Sequence, residues 1–297
     1  MKLLKPLLCI ALPLLIALNT KAQNTIKADT IKTDTSKADK KNLFNSSINY
    51  VSRLNYLGRV DSLKSSGFFP ILSLDSRFGL YATTSFIFTQ NSAQSLTYAG
   101  TSIEGGYKFP EGQHFSGNVF YTQFLYKPTA TIVQSALKEQ TGVNLTWKND
   151  IINVTGGGDI KFSGNTDIGA TGTLDHLFII KITSMQKTAV ALNPTATINA
   201  GSQKFAQTYV NKIGGILGGL GGVGSTTTTQ NINKFNILSY EFSMPVVLVI
   251  NRFYAALTPA YVIPENLIKV ANRPDLSEMG ENMFYVTATV GMRLEFR

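Results

Sequence analysis

The chain of 297 residues contains one cysteine, Cys9, which lies inside an apolar run near the N-terminus. The residues that follow can therefore form no disulfide, offer no thiol nucleophile and bind no metal through a thiolate. Histidine is nearly as scarce, with His114 and His176 far apart in the sequence. Two distant histidines without a dense carboxylate loop form no recognisable zinc or calcium site, so we expect neither a metal nor another cofactor.

Charged residues and long apolar runs are also scarce. Asp, Glu, Lys and Arg make up 15% of the chain, well below the usual quarter. After the N-terminus there is no run of about eighteen apolar residues, so a helical transmembrane protein is not predicted. Most of the net charge of +9 is scattered over the sequence. A nucleic-acid-binding protein would gather basic residues in one stripe, so we expect no nucleic-acid partner.

The first 22 residues have the three parts of a secretory signal peptide. Lys2 and Lys5 give a positive start, residues 7–18 form the apolar core, and Thr20-Lys21-Ala22 is a small-x-small cleavage site. Residues 23–42 form a polar repeat with a period of five. Such a segment buries too little apolar surface to offset its chain entropy, so a flexible periplasmic leader is predicted before a single domain at 43–297.

The last stretch of the chain alternates strictly between apolar and mostly polar residues. Every second residue forms an apolar set, namely Phe284, Val286, Ala288, Val290, Met292, Leu294 and Phe296. Side chains alternate between the two faces of a strand, so this strand separates an apolar phase from a wet one. It has roughly a dozen residues, where strands of soluble proteins usually have about five or six, and this length matches a tilted bilayer span.

Similar alternation and turn signals predict about twelve strands from residue 44 onward. They are expected at 46–56, 68–76, 80–89, 95–108, 114–126, 142–147, 151–162, 167–182, 188–201, 236–249, 253–263 and 284–296. The links after the second, fourth, sixth, eighth and tenth strands are short, whereas most of the others are long. Short turns are periplasmic in outer-membrane barrels, so both chain ends are predicted to lie in the periplasm.

The terminal strand resembles that of Gram-negative outer-membrane β-barrel proteins, which end in an amphipathic strand closing with Phe. Phe296 is next to last, a small departure from the commonest form. The resemblance implies an all-β fold, a transmembrane antiparallel up-and-down β-barrel of about twelve strands, located in the cell outer membrane after signal-peptide cleavage. It also implies two partners, outer-membrane lipid and the barrel-assembly machinery. The assembly signal would comprise Phe284, Val290, Leu294 and Phe296. The sequence predicts no oligomeric state.

Ten charged residues alternate along their strands with most of the apolar residues. They are therefore on the opposite face and are predicted to face the lumen. They are Arg53, Asp75, Glu104, Asp159, Lys161, Asp175, Lys181, Glu241, Arg293 and Glu295. Charges inside a barrel must be hydrated or paired. The first hypothesis is therefore a passive channel for small polar solutes, and the alternative is a structural or surface-interaction barrel with a filled lumen.

The longest predicted loop, 202–235, contains Gly214, Gly218 and Gly222 at a spacing of four. A helix with this spacing would have a smooth seam for close packing, as in a plug or a membrane-touching hairpin. Glycine is costly inside helices, however, so a mobile loop is the alternative. We predict that this loop is extracellular and that it governs access to the lumen.

A third hypothesis is an outer-membrane lipid-modifying hydrolase. Membrane barrels that resemble this chain in size include a phospholipase with a Ser and a His on its outer wall. In this sequence no Ser stands in a nucleophile-elbow setting, and local spacing ties no Ser to a His and an acid. We therefore assign no catalytic residue and favour a protein that is not an enzyme.

Overall fold

The computed structural model describes residues 41–182, 188–206, 208–209, 234–269 and 277–297. The strands are β1 (Asn42–Val51), β2 (Arg59–Val60), β3 (Ser66–Asp75), β4 (Leu80–Asn91), β5 (Gln94–Lys108), β6 (Phe115–Tyr126), β7 (Glu139–Trp147), β8 (Asn153–Phe162), β9 (Thr166–Asp175), β10 (Phe178–Lys181), β11 (Thr188–Leu192), β12 (Thr195–Gly201), β13 (Asn236–Ser243), β14 (Val246–Ile250), β15 (Phe253–Pro264), β16 (Met279–Gly280) and β17 (Met283–Phe296). A short 3-10 helix spans Val133–Ala136. Within the described ranges, no helix is long and apolar enough to cross a membrane.

The strands close into a single antiparallel barrel. The last strand, β17, pairs with β1 on one side and with β15 on the other. Three wall strands are each built from two segments, which are β9 with β10, β11 with β12, and β13 with β14. Counted in this way, the described residues form twelve wall strands, and each is paired with the next along the chain. The predicted up-and-down barrel of about twelve strands is confirmed.

The first wall strand differs from its predicted bounds. It was expected at 46–56, but β1 starts earlier and ends at Val51. Residues 52–65 leave the wall, and the turn at Tyr56 and Arg59 buries side chains inside the barrel. Alternation alone could not show this, because a buried loop and a buried strand face select similar residues.

The two faces of the wall are inverted relative to those of a soluble protein. In β17 the side chain of Val290 is 62% exposed, whereas Thr289 next to it is only 4% exposed. In β1, Ile48 is likewise exposed and Asn49 is buried. An apolar outer face around a polar interior is the pattern of a transmembrane barrel.

Exposed aromatic side chains lie near both rims of this outer face. Near one rim, Phe242, Tyr261 and Phe284 form a row across three neighbouring strands. Near the other rim, Phe115 pairs directly with Trp147. Aromatic girdles at the two water interfaces are typical of outer-membrane barrels.

The connections differ at the two ends of the barrel. At the end that holds both ends of the described chain, residues 76–79, 109–114, 148–152 and 251–252 make short turns. The opposite end has the four longest connections, 52–65, 127–138, 202–235 and 265–282, together with short turns at 92–93 and 163–165. We call these the terminus side and the loop side.

Candidate functional site: the lumen and its plug

The loop-side half of the lumen is filled by segments that fold inward. We call residues 52–65, 127–138, 203–206, 265–269 and 277–282 the plug. An apolar cluster joins the plug to the wall, and it contains Tyr56, Leu57, Phe124, Val133, Leu137, Phe205, Ala206, Leu238 and Ile268. A second cluster packs Leu54, Val60, Ala130 and Ile132 of the plug against wall residues such as Phe69, Val262 and Tyr285.

The innermost part of the plug is a tight hairpin from Tyr56 to Arg59. The backbone N–H of Tyr56 donates to the Arg59 carbonyl at 2.8 Å, and the N–H of Arg59 donates back at 3.0 Å. Leu57 and Gly58 between them have φ values of 55° and 77°. Two consecutive positive φ values are characteristic of a type I′ turn. A Cβ at Gly58 would also lie 2.7 Å from Cβ of Pro264, so both the backbone and the packing require glycine here.

Arg59 binds the separate segments of the plug together, although it is only 1% exposed. Its Nε donates to Oε1 of Glu278 at 2.9 Å, and Nη2 donates to Oε1 of Gln203 at 2.6 Å. Three carbonyl oxygens accept the remaining hydrogen bonds, those of Leu57 at 3.0 Å, Leu238 at 3.1 Å and Glu265 at 3.2 Å. A guanidinium has five N–H groups, so all its donors are satisfied.

Glu278 completes this buried ion pair. Its second carboxylate oxygen, Oε2, accepts a hydrogen bond from the backbone N–H of Ile268 at 2.7 Å. The backbone N–H of Glu278 donates to the Ile268 carbonyl at 2.8 Å, so the plug segments 265–269 and 277–282 are held together. Next to Glu278, the short strand β16 pairs with β2, which joins plug segment 277–282 to plug segment 52–65. The charges of Arg59 and Glu278 are thus fully compensated inside an apolar surround.

Asp167 anchors the plug segment that follows β12. Its Oδ1 accepts hydrogen bonds from Oγ of Ser202 at 2.6 Å and from the backbone N–H of Lys204 at 2.7 Å. Its Oδ2 accepts from the N–H of Phe205 at 2.7 Å. Residues 204–206 are helical, so Asp167 satisfies N–H groups that a first helical turn leaves without partners. Phe205 then stacks edge-on against Tyr56, with 5.0 Å between ring centroids.

Several polar atoms lack a hydrogen-bond partner where the plug meets the wall. Among the described residues, these buried atoms include the hydroxyls of Tyr56, Tyr126 and Thr122, and both amide atoms of Gln140. Burial raises the pKa of Tyr56 well above its ordinary value, and the carboxylates of Asp159 and Asp167 raise it further, so this hydroxyl stays protonated. An unpaired buried polar group costs about 1–3 kcal/mol, so the plugged arrangement is less stable than its apolar packing alone implies.

The terminus-side half of the lumen is polar and partly open to solvent. Asn45, Asn118, Asn144 and Thr146 are half-buried on the inner face of the wall. Cross-strand hydrogen bonds join several of these side chains, for example from Nδ2 of Asn144 to Oδ1 of Asn118 at 3.4 Å. Lys108 pairs with Asp75 at 2.5 Å, and the lysine side chain is 34% exposed. This half could hold water or a small polar solute.

Four of the ten predicted lumen charges form ion pairs or carboxylate contacts deep in the wall. Asp159 pairs with Lys161 at 2.5 Å, and both side chains are buried. Glu241 accepts a hydrogen bond from the Tyr285 hydroxyl at 2.7 Å, and Asp175 accepts one from Nδ2 of Asn153 at 3.0 Å.

The other predicted charges are less uniform in their placement. Glu104 is buried beside Tyr81, and Asp75 forms the pair with Lys108 described above. Arg293 is half-buried, Glu295 pairs with Lys41 at the exposed terminus-side rim, and Lys181 is exposed at the end of β10. Arg53 lies in the plug segment 52–65 rather than in a strand, and it pairs with the exposed Glu281 at 2.5 Å.

The predicted assembly residues lie along the last wall strand. Phe284, Val290 and Phe296 are exposed on its outer face, and Leu294 is half-buried. The predicted gating glycines, Gly214, Gly218 and Gly222, lie outside the described residues, as do the whole predicted signal peptide and the leader up to residue 40. In the described part of the chain, no three His, Cys, Asp or Glu residues are grouped so as to hold a metal ion.

Sequence reasoning did not identify Arg59, Glu278 or Gln203. The chain separates Arg59 from Glu278 by 219 residues and from Gln203 by 144 residues. No local spacing reports such contacts. The one usable signal is Leu57-Gly58-Arg59, a turn-forming pair followed by a charge directly after the predicted strand at 46–56.

No protein-family model and no curated protein matches this sequence. Solved structures of outer-membrane barrels do match it in fold. A KdgM porin is 9% identical over 85% of this chain and 99% of that chain, with a TM-score of 0.41. An outer membrane channel from Pseudomonas putida F1 is 9% identical over 88% of this chain and 100% of that chain, with a TM-score of 0.47. LpxR from Salmonella typhimurium is 9% identical over 84% of this chain and 99% of that chain, with a TM-score of 0.45.

Proposed function

We propose that this chain is an outer-membrane barrel that passes small polar solutes through its lumen, and that the plug is the gate of the loop-side mouth. The observation that carries the proposal is the half-exposed polar lining of the terminus-side lumen, with Asn118, Asn144 and the Asp75–Lys108 pair. A barrel with a purely structural role would gain stability by filling that space as the plug fills the other half.

The contacts of the plug support a gate rather than a permanent seal. Arg59 makes its hydrogen bonds mainly to other segments, including Gln203, Glu265 and Glu278, so one displacement breaks several contacts together. Opening would also let water reach the unpaired atoms of Tyr56 and Gln140. Their hydration would offset part of the apolar burial that is lost.

The topology supports an orientation with the plug at the cell exterior. The four longest connections all lie on the side opposite to both described chain ends, and long loops are extracellular in this class of barrel. The exposed outer residues of β17, which end at Phe296, would be the surface that the assembly machinery recognises.

A second candidate function is a structural or surface-interaction barrel whose plug never opens. The dense apolar packing around Tyr56 and Phe205 favours it. The two functions differ in one measurable property, which is ion conductance across a planar bilayer.

Single-channel recording therefore tests the proposal. The unaltered protein should conduct with long closed periods, and Arg59→Ala should increase the open fraction because it removes five hydrogen bonds from the plug. Glu278→Gln keeps the side-chain shape and should have a similar but smaller effect.

Arg53→Ala is the matched control, because Arg53 and Glu281 join the same two plug segments at the exposed rim. It should leave the open fraction unchanged. If heat-modifiable, folded protein gives no current in any of these forms, the barrel is not a channel and the second candidate stands.

A further inference from the structure

Six uncharged polar side chains follow one path across the inner wall. We call Tyr81, Asn118, Asn144, Thr171, Asn199 and Ser239 the amide belt. Cross-strand register places Asn118 opposite Asn144, Thr171 opposite Asn199, and Asn199 opposite Ser239. Two glycines interrupt this path, namely Gly106 opposite Tyr81, and Gly157 between Asn144 and Thr171. Directly opposite side chains on neighbouring strands are close enough to interact.

Hydrogen bonds connect the amide belt on both sides of Gly157. Nδ2 of Asn118 donates to the Tyr81 hydroxyl at 3.0 Å, and Nδ2 of Asn144 donates to Oδ1 of Asn118 at 3.4 Å. Beyond the glycine, Oγ1 of Thr171 donates to Oδ1 of Asn199 at 3.3 Å, and Nδ2 of Asn199 donates to Oγ of Ser239 at 3.1 Å. The side chains are thus held in place before any solute enters.

Tyr81 is held flat against the wall. It lies opposite Gly106, and a Cβ at that glycine would be 2.6 Å from Cζ of the tyrosine ring. The ring therefore crosses the intervening strand and brings its hydroxyl to Asn118. The glycine lets an aromatic side chain line the lumen without obstructing it.

Solvent reaches the amide belt from the terminus side. Tyr81, Asn118, Asn144 and Thr171 are half-buried, whereas Asn199 and Ser239 are buried. An asparagine amide has two N–H groups and an acceptor oxygen with two lone pairs. The bonds within the belt use one N–H and one lone pair of Asn118, so further donor and acceptor capacity remains on a partly open surface.

The charges around the belt are mostly paired. Asp159 is compensated by Lys161 and Asp75 by Lys108, and the carboxyl group of Glu104 is buried beside Tyr81. A neighbouring row consists of threonines, with hydroxyl contacts between Thr146 and Thr155 at 2.9 Å and between Thr173 and Thr197 at 3.1 Å. An anion that enters such a lining loses hydration, while Lys108 and Lys161 are already paired with carboxylates.

We infer that the amide belt is a binding ring for uncharged polyhydroxylated solutes, the chemical class of neutral sugars and polyols. Each hydroxyl of such a solute both donates and accepts a hydrogen bond, as the amides and hydroxyls of the belt do. The inference rests on the proposed channel function, because the solute must reach the lumen.

The test measures solute block of ion current through channels in planar bilayers. Sucrose should reduce the current of the unaltered protein in a saturable manner, and gluconate, an anion of similar chemistry, should bind more weakly. Asn144→Leu removes a belt amide at nearly constant size and should weaken sucrose block about fivefold to tenfold, the effect of losing one or two hydrogen bonds. Asn45→Leu is the matched control, since Asn45 is a half-buried lumen amide outside the belt, and it should leave block unchanged.

The outcomes distinguish a failure of the channel function from a failure of the binding ring. Absence of current in every form, including Arg59→Ala, would reject the channel function itself. Current that sucrose does not block, or that gluconate blocks as well as sucrose does, would reject the binding ring and leave the channel intact. Because the sucrose and gluconate comparison uses the unaltered protein, it still decides the question if Asn144→Leu fails to fold.

Discussion

The two halves of the lumen lie on the same strands but have opposite chemistry. On β1 the inner face passes from Val51 on the loop side to Asn45 on the terminus side. On β6 it passes from Phe124 to Asn118. The outer face of both strands is mostly apolar at both levels. The bilayer therefore determines one face of each strand, and whatever fills the lumen at each level determines the other.

Within the plug, two ion pairs differ in burial. Arg59–Glu278 and Arg53–Glu281 join the same two chain segments, at 2.9 Å and 2.5 Å. The first pair is buried with every guanidinium donor satisfied, whereas Glu281 is half exposed. Distance alone would rank the exposed pair as stronger. When one partner is removed, however, the buried pair should cause the larger loss of stability, because the remaining charge is left uncompensated in an apolar surround.

The largest expected effect comes from breaking the buried pair. Arg59→Ala should lower the free energy of unfolding by about 3–5 kcal/mol, because Glu278 and several acceptors would remain buried without a partner. Urea unfolding of the barrel in lipid vesicles measures this loss. Arg53→Ala at the rim should stay close to the unaltered protein. Equal losses for the two variants would mean that the plug is not a packed element in solution.

The next effect tests the difference between the two faces of the wall. Val290→Arg places a charge on the lipid face and should destabilise the barrel by roughly 2–4 kcal/mol if it lies near the bilayer midplane. Thr83→Arg is the matched control, since Thr83 is half-buried on the inner face opposite Glu104, which could pair with the new cation. Thr289 is less suitable as a control, because it is buried and donates to Oδ1 of Asn49 at 2.7 Å.

Unfolding in vesicles again gives the measurement. A smaller loss for Thr83→Arg than for Val290→Arg is expected. A larger loss at Thr83 would show that the terminus-side lumen is not hydrated, and both the channel and the binding ring would then lose their main support.

The wall could be predicted from sequence because its rule is local. Alternation with a period of two follows from strand geometry, and the bilayer holds one face to apolar residues over the whole length of Phe284 to Phe296. Strand number and turn lengths followed from the same pattern. The bounds were wrong chiefly where the chain left the wall, as at Val51, since the next residues are also buried.

The plug and the amide belt could not be predicted in this way. Arg59 meets its partners across more than a hundred residues of sequence, and the belt requires the register of several strand pairs. Alternation along a strand predicts which face a charge is on, but whether the charge has a partner depends also on its position along the strand. Asp159 and Lys161 are neighbours on one face, whereas Arg53 had already left the strand.

The smallest expected effect concerns the exposed pair at the plug rim and its dependence on pH. Hydrogen bonds from Lys64 and Arg53 hold the pKa of Glu281 below its ordinary value of 4.5. A carboxylate with a depressed pKa in the folded state stabilises that state above the ordinary pKa, and the contribution is lost as pH falls through the folded value. Glu281→Gln should therefore unfold slightly more easily than the unaltered protein at pH 6, and the difference should shrink as the pH falls below 4.5 toward 3. High salt should also reduce it, because exposed charges are screened. Urea midpoints at both pH values, with and without added salt, measure the effect, and a difference that persists unchanged at pH 3 would show that the carboxylate charge does not hold the rim of the plug.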